Sequence, residues 1–482
     1  MCMIYYFQRT AIALLLLAIP LSAQAPKAGL DYLQNITVPN WTTAGANQAN
    51  FDLFAFNPLN HSMYVADRTN GGVFAIDTHS NEFVGSWAVP GNPLTNGVLV
   101  APDVQQLVVT DAKADVFVYN LRIPQSSPDK YVVPNITAGT DALTYNPLNR
   151  TVYVINGSAP YYITGIDLAY RKVASQMALP GSPELNAFNP VDGLIYQVIT
   201  DGDNNNLGAG VVVYDPYANK LKASYLTPNC VPHGIDIDPI ANVALLGCGT
   251  NQPQVLMNLK DGTILQRFPD VTGTDLLVFN PNTRRFYVGA GVNVSTTTGC
   301  PQDTTQAFPI VAVIEATGPT GSVGRLDGVQ CSGRNGHGLG VDPVQGYIYV
   351  GSRQYPADPA SATSGVPGVL VFYDPAPAAQ PLTIRTVTTL AGINGSGVQG
   401  TAKTYITGRV VRMDVSAQSI SGTLALLNVT TTAGNEGVPC GKASGSTVVC
   451  NGTLVGDPMI GGSILLSMDG VPVAGGIIAT AQ

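Results

Sequence analysis

Seven residues hold one place in a phrase that recurs along this 482-residue chain. Asp52, Asn96, Asp141, Glu184, His233, Asp275 and His337 each stand six positions before a proline, namely Pro58, Pro102, Pro147, Pro190, Pro239, Pro281 and Pro343. All seven are side chains that can ligate a metal or hydrogen-bond a polar ligand, and two of them are drawn from only four histidines. His233, Asp275 and His337 fall in consecutive copies. Two imidazoles flanking a carboxylate suit a divalent transition ion, whereas the carboxylates Asp52, Asp141 and Glu184 would suit Ca²⁺. The alternative is that the seven solvate a water-filled channel and cap the starts of strands.

The positions two and four residues before each proline are almost all apolar, as in Phe54 and Phe56, Val98 and Val100, or Leu277 and Phe279. That alternation marks a strand with one polar side chain at its beginning. A polar turn and a second strand follow, visible as "MYVADR", "VYVING" and "IYVGSR". Third strands read "GVFAID", "GVVVYD" and "GVLVFYD", and a more variable fourth closes each unit. Four short strands repeated seven times predict an all-β chain folded as a seven-bladed β-propeller. The polar position would begin the innermost strand of each blade, so the seven side chains would ring one mouth of the central channel. Two segments compete to complete the last blade, "DYLQNITVPNW" (31–41) and "PLTIRTVTTL" (381–390).

The segments "NPLNHSMYVAD", "NPLNRTVYVIN" and "DPVQGYIYVGS" resemble the YVTN-type repeat propellers and, more distantly, the lactonase-like seven-bladed propellers. The resemblance covers roughly residues 30–390. It implies the propeller fold, and a group whose members include ligand-binding scaffolds, surface-layer components and enzymes. Lactonase-like enzymes hold their metal with carboxylate and Asn ligands, which Glu184, Asn96 and Asp141 would mimic. Two ring histidines depart from that pattern.

Other features bound the function. Residues 1–25 end an apolar run in Ala23-Gln24-Ala25, the pattern of a cleaved secretory signal, so a secreted or periplasmic protein without a membrane anchor is expected. Six further cysteines suit an oxidising compartment, and their placement predicts Cys230–Cys248, Cys300–Cys331 and Cys440–Cys450. Residues 26–375 would form the propeller. Residues 376–482, opening on "DPAPAAQP", would form a linker and a small Ig-like β-sandwich serving as a spacer. With 23 Lys and Arg against 31 Asp and Glu, no basic stripe exists to grip nucleic acid. There is no Walker loop, G-x-S-x-G elbow or H-E-x-x-H, and "GSGVQG" (395–400) has no helix to follow it, so no nucleotide or organic cofactor is indicated. "DGDNNN" (201–206) opens like a calcium loop, but Val212 stands where the bidentate Glu is needed, which favours a plain turn. The reading is an exported propeller that binds a small molecule, glycan, metal or surface partner at its channel mouth. The alternative is a metal-dependent hydrolase or lyase acting on a lactone or sugar-derived substrate.

Overall fold

The computed structural model describes residues 29–479 apart from several short segments, of which 42–48, 202–207, 376–382 and 441–446 are the longest. The signal segment 1–25, most of "DGDNNN" and most of the linker fall outside the described residues.

Seven antiparallel four-stranded sheets form a seven-bladed β-propeller. Blade one runs Phe51–Asn57, Ser62–Asp67, Gly72–Asp77 and Glu82–Ala88. Its second and third strands are buried almost throughout, because a blade packs both faces against neighbours. The fourth strand alternates between exposed and half-buried residues, as a strand on the rim must. Large apolar side chains fill the spaces between blades: Phe51, Met63 and Phe74 of blade one interlock with Tyr349 and Val371 of blade seven, and Trp41, which follows the closing strand, packs among them.

The contest for the last blade is won by the N-terminus. Asp31–Ile36 pairs antiparallel with Val366–Tyr373, Ile36 lying opposite Val369 and Asp31 opposite Tyr373. Thr383–Gly392 instead begins a separate C-terminal sheet. Closing the ring this way gives blade seven the same four strands as the other six.

Polar side chains clasp neighbouring blades where inner strands diverge. Asp236 accepts the backbone N–H of Phe279 at 2.6 Å, and Thr144 accepts that of Phe188 at 3.2 Å. Asp374, at the end of the propeller, accepts two hydrogen bonds at 2.9 Å from Arg285 of blade six. All three expected disulfides are present, Cys230–Cys248, Cys300–Cys331 and Cys440–Cys450.

The C-terminal region forms one hydrogen-bonded sheet of eight strands. Its terminal strands in that order, Gly434–Pro439 and Thr447–Leu454, are brought together by the Cys440–Cys450 bridge, so the sheet curls on itself. Val415, Val448 and Leu454 from one half meet Leu427, Ile464 and Leu466 from the other in a single apolar core. Among the described residues no helix is long and apolar enough to cross a membrane.

Candidate metal centre at the channel mouth

In five blades the polar position is the second residue of the innermost strand, and a bulge lies there. Pairing skips from Phe51 to Phe54, from Thr95 to Val98, from Thr140 to Leu143, from Pro183 to Asn186 and from Pro232 to Gly234. A bulge bends the strand and re-aims one side chain, here the ring residue. In blade four the freed carbonyls are taken by buried Gln197, whose Nε2 donates to Glu184 O at 2.8 Å and to Leu185 O at 3.2 Å. Asp275 directly precedes its strand, Leu276–Asn280. Neighbouring inner strands approach closely at this level. A Cβ on Gly234 would stand 2.5 Å from the Asp275 carbonyl oxygen, which requires glycine.

Three ring side chains from consecutive blades converge. Ligand atoms of Glu184, His233 and Asp275 all lie within 4.8 Å of one another. His233 Nδ1 faces a Glu184 carboxylate oxygen at 3.8 Å. That carboxylate, reinforced by Asp275, raises the imidazole pKa above its ordinary value against the opposing effect of burial. All three side chains are half-buried, so the group is reachable from solvent. One imidazole nitrogen with two carboxylates is a donor set for Mn²⁺, Zn²⁺ or a similar ion.

The sequence set Asp275 between two histidines, and the structure gathers it with His233 and Glu184. His337 lies outside this group. Blade seven begins its inner strand only at Leu339, so His337 sits in a turn after Asn335, whose φ is 56°, and no bulge aims it. Its ring stacks on Phe51 at 5.2 Å, and Nδ1 lies 3.0 Å from the Asn335 carbonyl oxygen. Only a protonated Nδ1 can donate there, which leaves Nε2 as an acceptor. Burial lowers the His337 pKa against the opposing charge of Asp275, with Arg353 and Arg68 assisting, so the ring is neutral at neutral pH.

The remaining ring residues form an acidic arc. Asp141 is raised to about 7, first by burial and then by the charge of Glu184, with Arg68 opposing. Asp52 is also raised, chiefly by burial, although it forms an ion pair with Arg68. Arg68 additionally donates to Asn96 Oδ1 at 2.9 Å, and Asn96 donates to Thr140 O at 2.8 Å. Asn96 is therefore occupied in bridging blades one to three.

Sequence reasoning missed Arg68, Arg353 and Gln197. Each breaks the pattern of its second strand: "MYVADR" and "IYVGSR" end in arginine where other blades carry Ala112, Gly157, Thr200, Gly249 and Gly291, and "IYQVIT" holds an interior glutamine. It also missed the channel floor. Leu53 of blade one and Leu185 of blade four both pack against the cluster holding Leu276 and Leu339 of blades six and seven. Side chains from opposite sides of a seven-membered ring meet only across the channel. The polar mouth is a cup with an apolar base.

No family model matches the chain, and no curated protein matches it. Among solved structures, a chain of Kuenenia stuttgartiensis hydrazine synthase superposes with a TM-score of 0.53 at 13% identity, covering 68% of this chain and 97% of its own. A chain of the mitotic checkpoint complex superposes with a TM-score of 0.49 at 12% identity, covering 73% of this chain and 96% of its own. At such identities the first likeness speaks for the propeller fold alone.

Proposed function

We propose that this protein is an exported, YVTN-type propeller that binds a divalent metal through Glu184, His233 and Asp275 and presents it to a ligand at the channel mouth. The observation that carries the reading is the convergence of these three side chains within 4.8 Å from three separate blades. Three buried-to-intermediate disulfides fit an oxidising compartment, as expected for an extracellular or periplasmic protein. The C-terminal curled sheet serves as an Ig-like sandwich, a spacer following the linker "DPAPAAQP". The partner is a small molecule, a glycan or a surface, and neither nucleic acid nor a membrane anchor enters the reading.

A hydrolase or lyase of lactonase-like type, acting on a lactone or sugar-derived substrate, is the second reading. Asp141 favours it: burial and the charge of Glu184 raise this carboxyl to about 7, the range that suits a general acid or base at neutral pH. The bound ion would supply Lewis acidity.

Elemental analysis and calorimetry with Mn²⁺, Zn²⁺ and Ca²⁺ test the first reading. One ion per chain is expected, lost in His233→Ala and in Glu184→Gln but kept in His337→Ala. The imidazole must lose its proton to bind. Because its pKa is raised, affinity should begin to fall at a pH above the ordinary histidine range and continue falling as pH drops. Wild type that binds no ion at neutral pH would sink the proposal. Metal-dependent turnover of a lactone, abolished by Asp141→Asn, would put the enzyme reading first.

A further inference from the structure

In blades three and five the residue that directly follows the second strand lies close to the ring residue of the same blade. A Cβ on Gly157 would sit 3.6 Å from Asp141 Oδ2, and one on Gly249 would sit 3.5 Å from His233 Nε2. Glycine there leaves the carboxyl and the imidazole uncovered. Blades one and seven do the opposite and place Arg68 and Arg353 at the matching position of the repeat. The two blades are ring neighbours, so both guanidinium groups belong to one side of the mouth.

Their circumstances differ. Arg68 is matched by Asp52 and by Asn96. Arg353 makes no ion pair among the described residues; its contact is with the neutral Asn50 Oδ1 at 3.2 Å, and its Nε is buried without a hydrogen-bond partner. Arg334 is paired to it through the backbone, Arg353 N donating to Arg334 O at 3.0 Å. Burial together with the charges of Arg334 and Arg68 lowers the Arg353 pKa. The arginines that hold the scaffold behave otherwise: Arg284 is paired with Asp238, and Arg285 with Asp374. A half-buried guanidinium among like charges is costly unless an anion completes it.

Resting on the metal-cup reading above, we infer that Arg353, flanked by Arg334 and Arg68, seats the oxyanion of a small hydroxylated ligand whose other oxygens face the Glu184–His233–Asp275 group. The planar fork of arginine matches a carboxylate or a phosphate through two parallel hydrogen bonds. His337 lies within electrostatic reach of Asp275, Arg353 and Arg68 alike, so the two halves of the cup are close to each other. The cup thus sorts ligands by charge: an uncharged sugar satisfies the metal side alone, and an acidic sugar or sugar phosphate satisfies both.

The test is calorimetry on the full mature chain, first stripped of metal with a chelator that is then removed, with galacturonate, inorganic phosphate and galactose as probes. Galacturonate or phosphate should bind, and galactose should bind roughly tenfold or more weakly. Arg353→Gln should remove most anion binding while Mn²⁺ binding and the thermal midpoint stay close to wild type. Arg353→Lys, which keeps the charge without the fork, should fall between. Binding of phosphate but not galacturonate assigns the seat to phosphate esters, and the converse to carboxylates. If neither anion binds, or if Arg353→Gln binds them as wild type does, the inference is overturned. Anion binding is read without metal, and metal binding without the anion, so a failure of one reading is distinct from a failure of the other.

Discussion

Asp236 shows how one carboxyl can couple fold to pH. It accepts backbone N–H groups from Ile237 at 2.8 Å and Phe279 at 2.6 Å, yet burial outweighs both and raises its pKa to about 6. The ordinary value is near 4, so between about pH 4 and pH 6 the native chain holds a proton that the unfolded chain has released. The stabilisation from this group is complete below pH 4 and is lost as pH rises through 6, an effect of about 3 kcal/mol. Urea denaturation across that window should show stability falling with rising pH, with the Asp236 share of the slope absent in Asp236→Asn. An unchanged slope in the variant would remove Asp236 as the source. At this scale the sequence was legible where a residue repeats and silent where it is singular. The ring emerged from register because all seven blades share the phrase. Arg353 and Gln197 did not, because each departs from a pattern whose exceptions have no meaning until the fold shows what lies opposite them.

Among elements, blade six and its long insertion are the most elaborate. Cys300 and Cys331 span 31 residues, and Cys300 packs with Val288, Ala290 and Ile310 in the blade core. Cross-linking a loop of this length restricts the unfolded chain by about 4 kcal/mol. Replacing both cysteines by alanine should lower the thermal midpoint by several degrees while leaving metal stoichiometry intact, as differential scanning calorimetry and elemental analysis would record. A midpoint unmoved by the double replacement would mean that the insertion is held by its packing alone. In blade seven the inner strand begins only at Leu339, so His337 sits in the preceding turn, apart from the Glu184–His233–Asp275 group. The bulges themselves were invisible in the pattern, since alternation of polar and apolar residues continues through them.

The whole molecule was the most legible level for blade number and the least for how the ring ends. Seven phrases count seven blades, but 31–41 and 381–390 carry equivalent strand patterns. The choice depends on which can reach the free edge of Val366–Tyr373. Tyr32 then packs on Tyr355 at 5.0 Å and on Phe372 at 5.8 Å, contacts that join opposite ends of the propeller sequence. Removing residues 29–41 should expose that edge and uncover the core around Phe51 and Tyr349, which Trp41 now seals. We expect the truncated chain to unfold at least 1–3 kcal/mol more easily and to self-associate, measured by denaturation and by size-exclusion chromatography. A monomer of unchanged stability would contradict the role of the closing strand.

That closing strand also imposes a timetable. Asp31 is among the earliest described residues to leave the ribosome, and its partner Tyr373 emerges more than three hundred residues later. Wherever folding takes place, the first strand has no edge to join until the chain through Tyr373 is available. Blades one to six can each form from neighbouring residues as they appear, while the seventh requires both extremes of the propeller at once. The ring is therefore expected to assemble by local steps and to finish with one long-range step, the one with the largest loop to close.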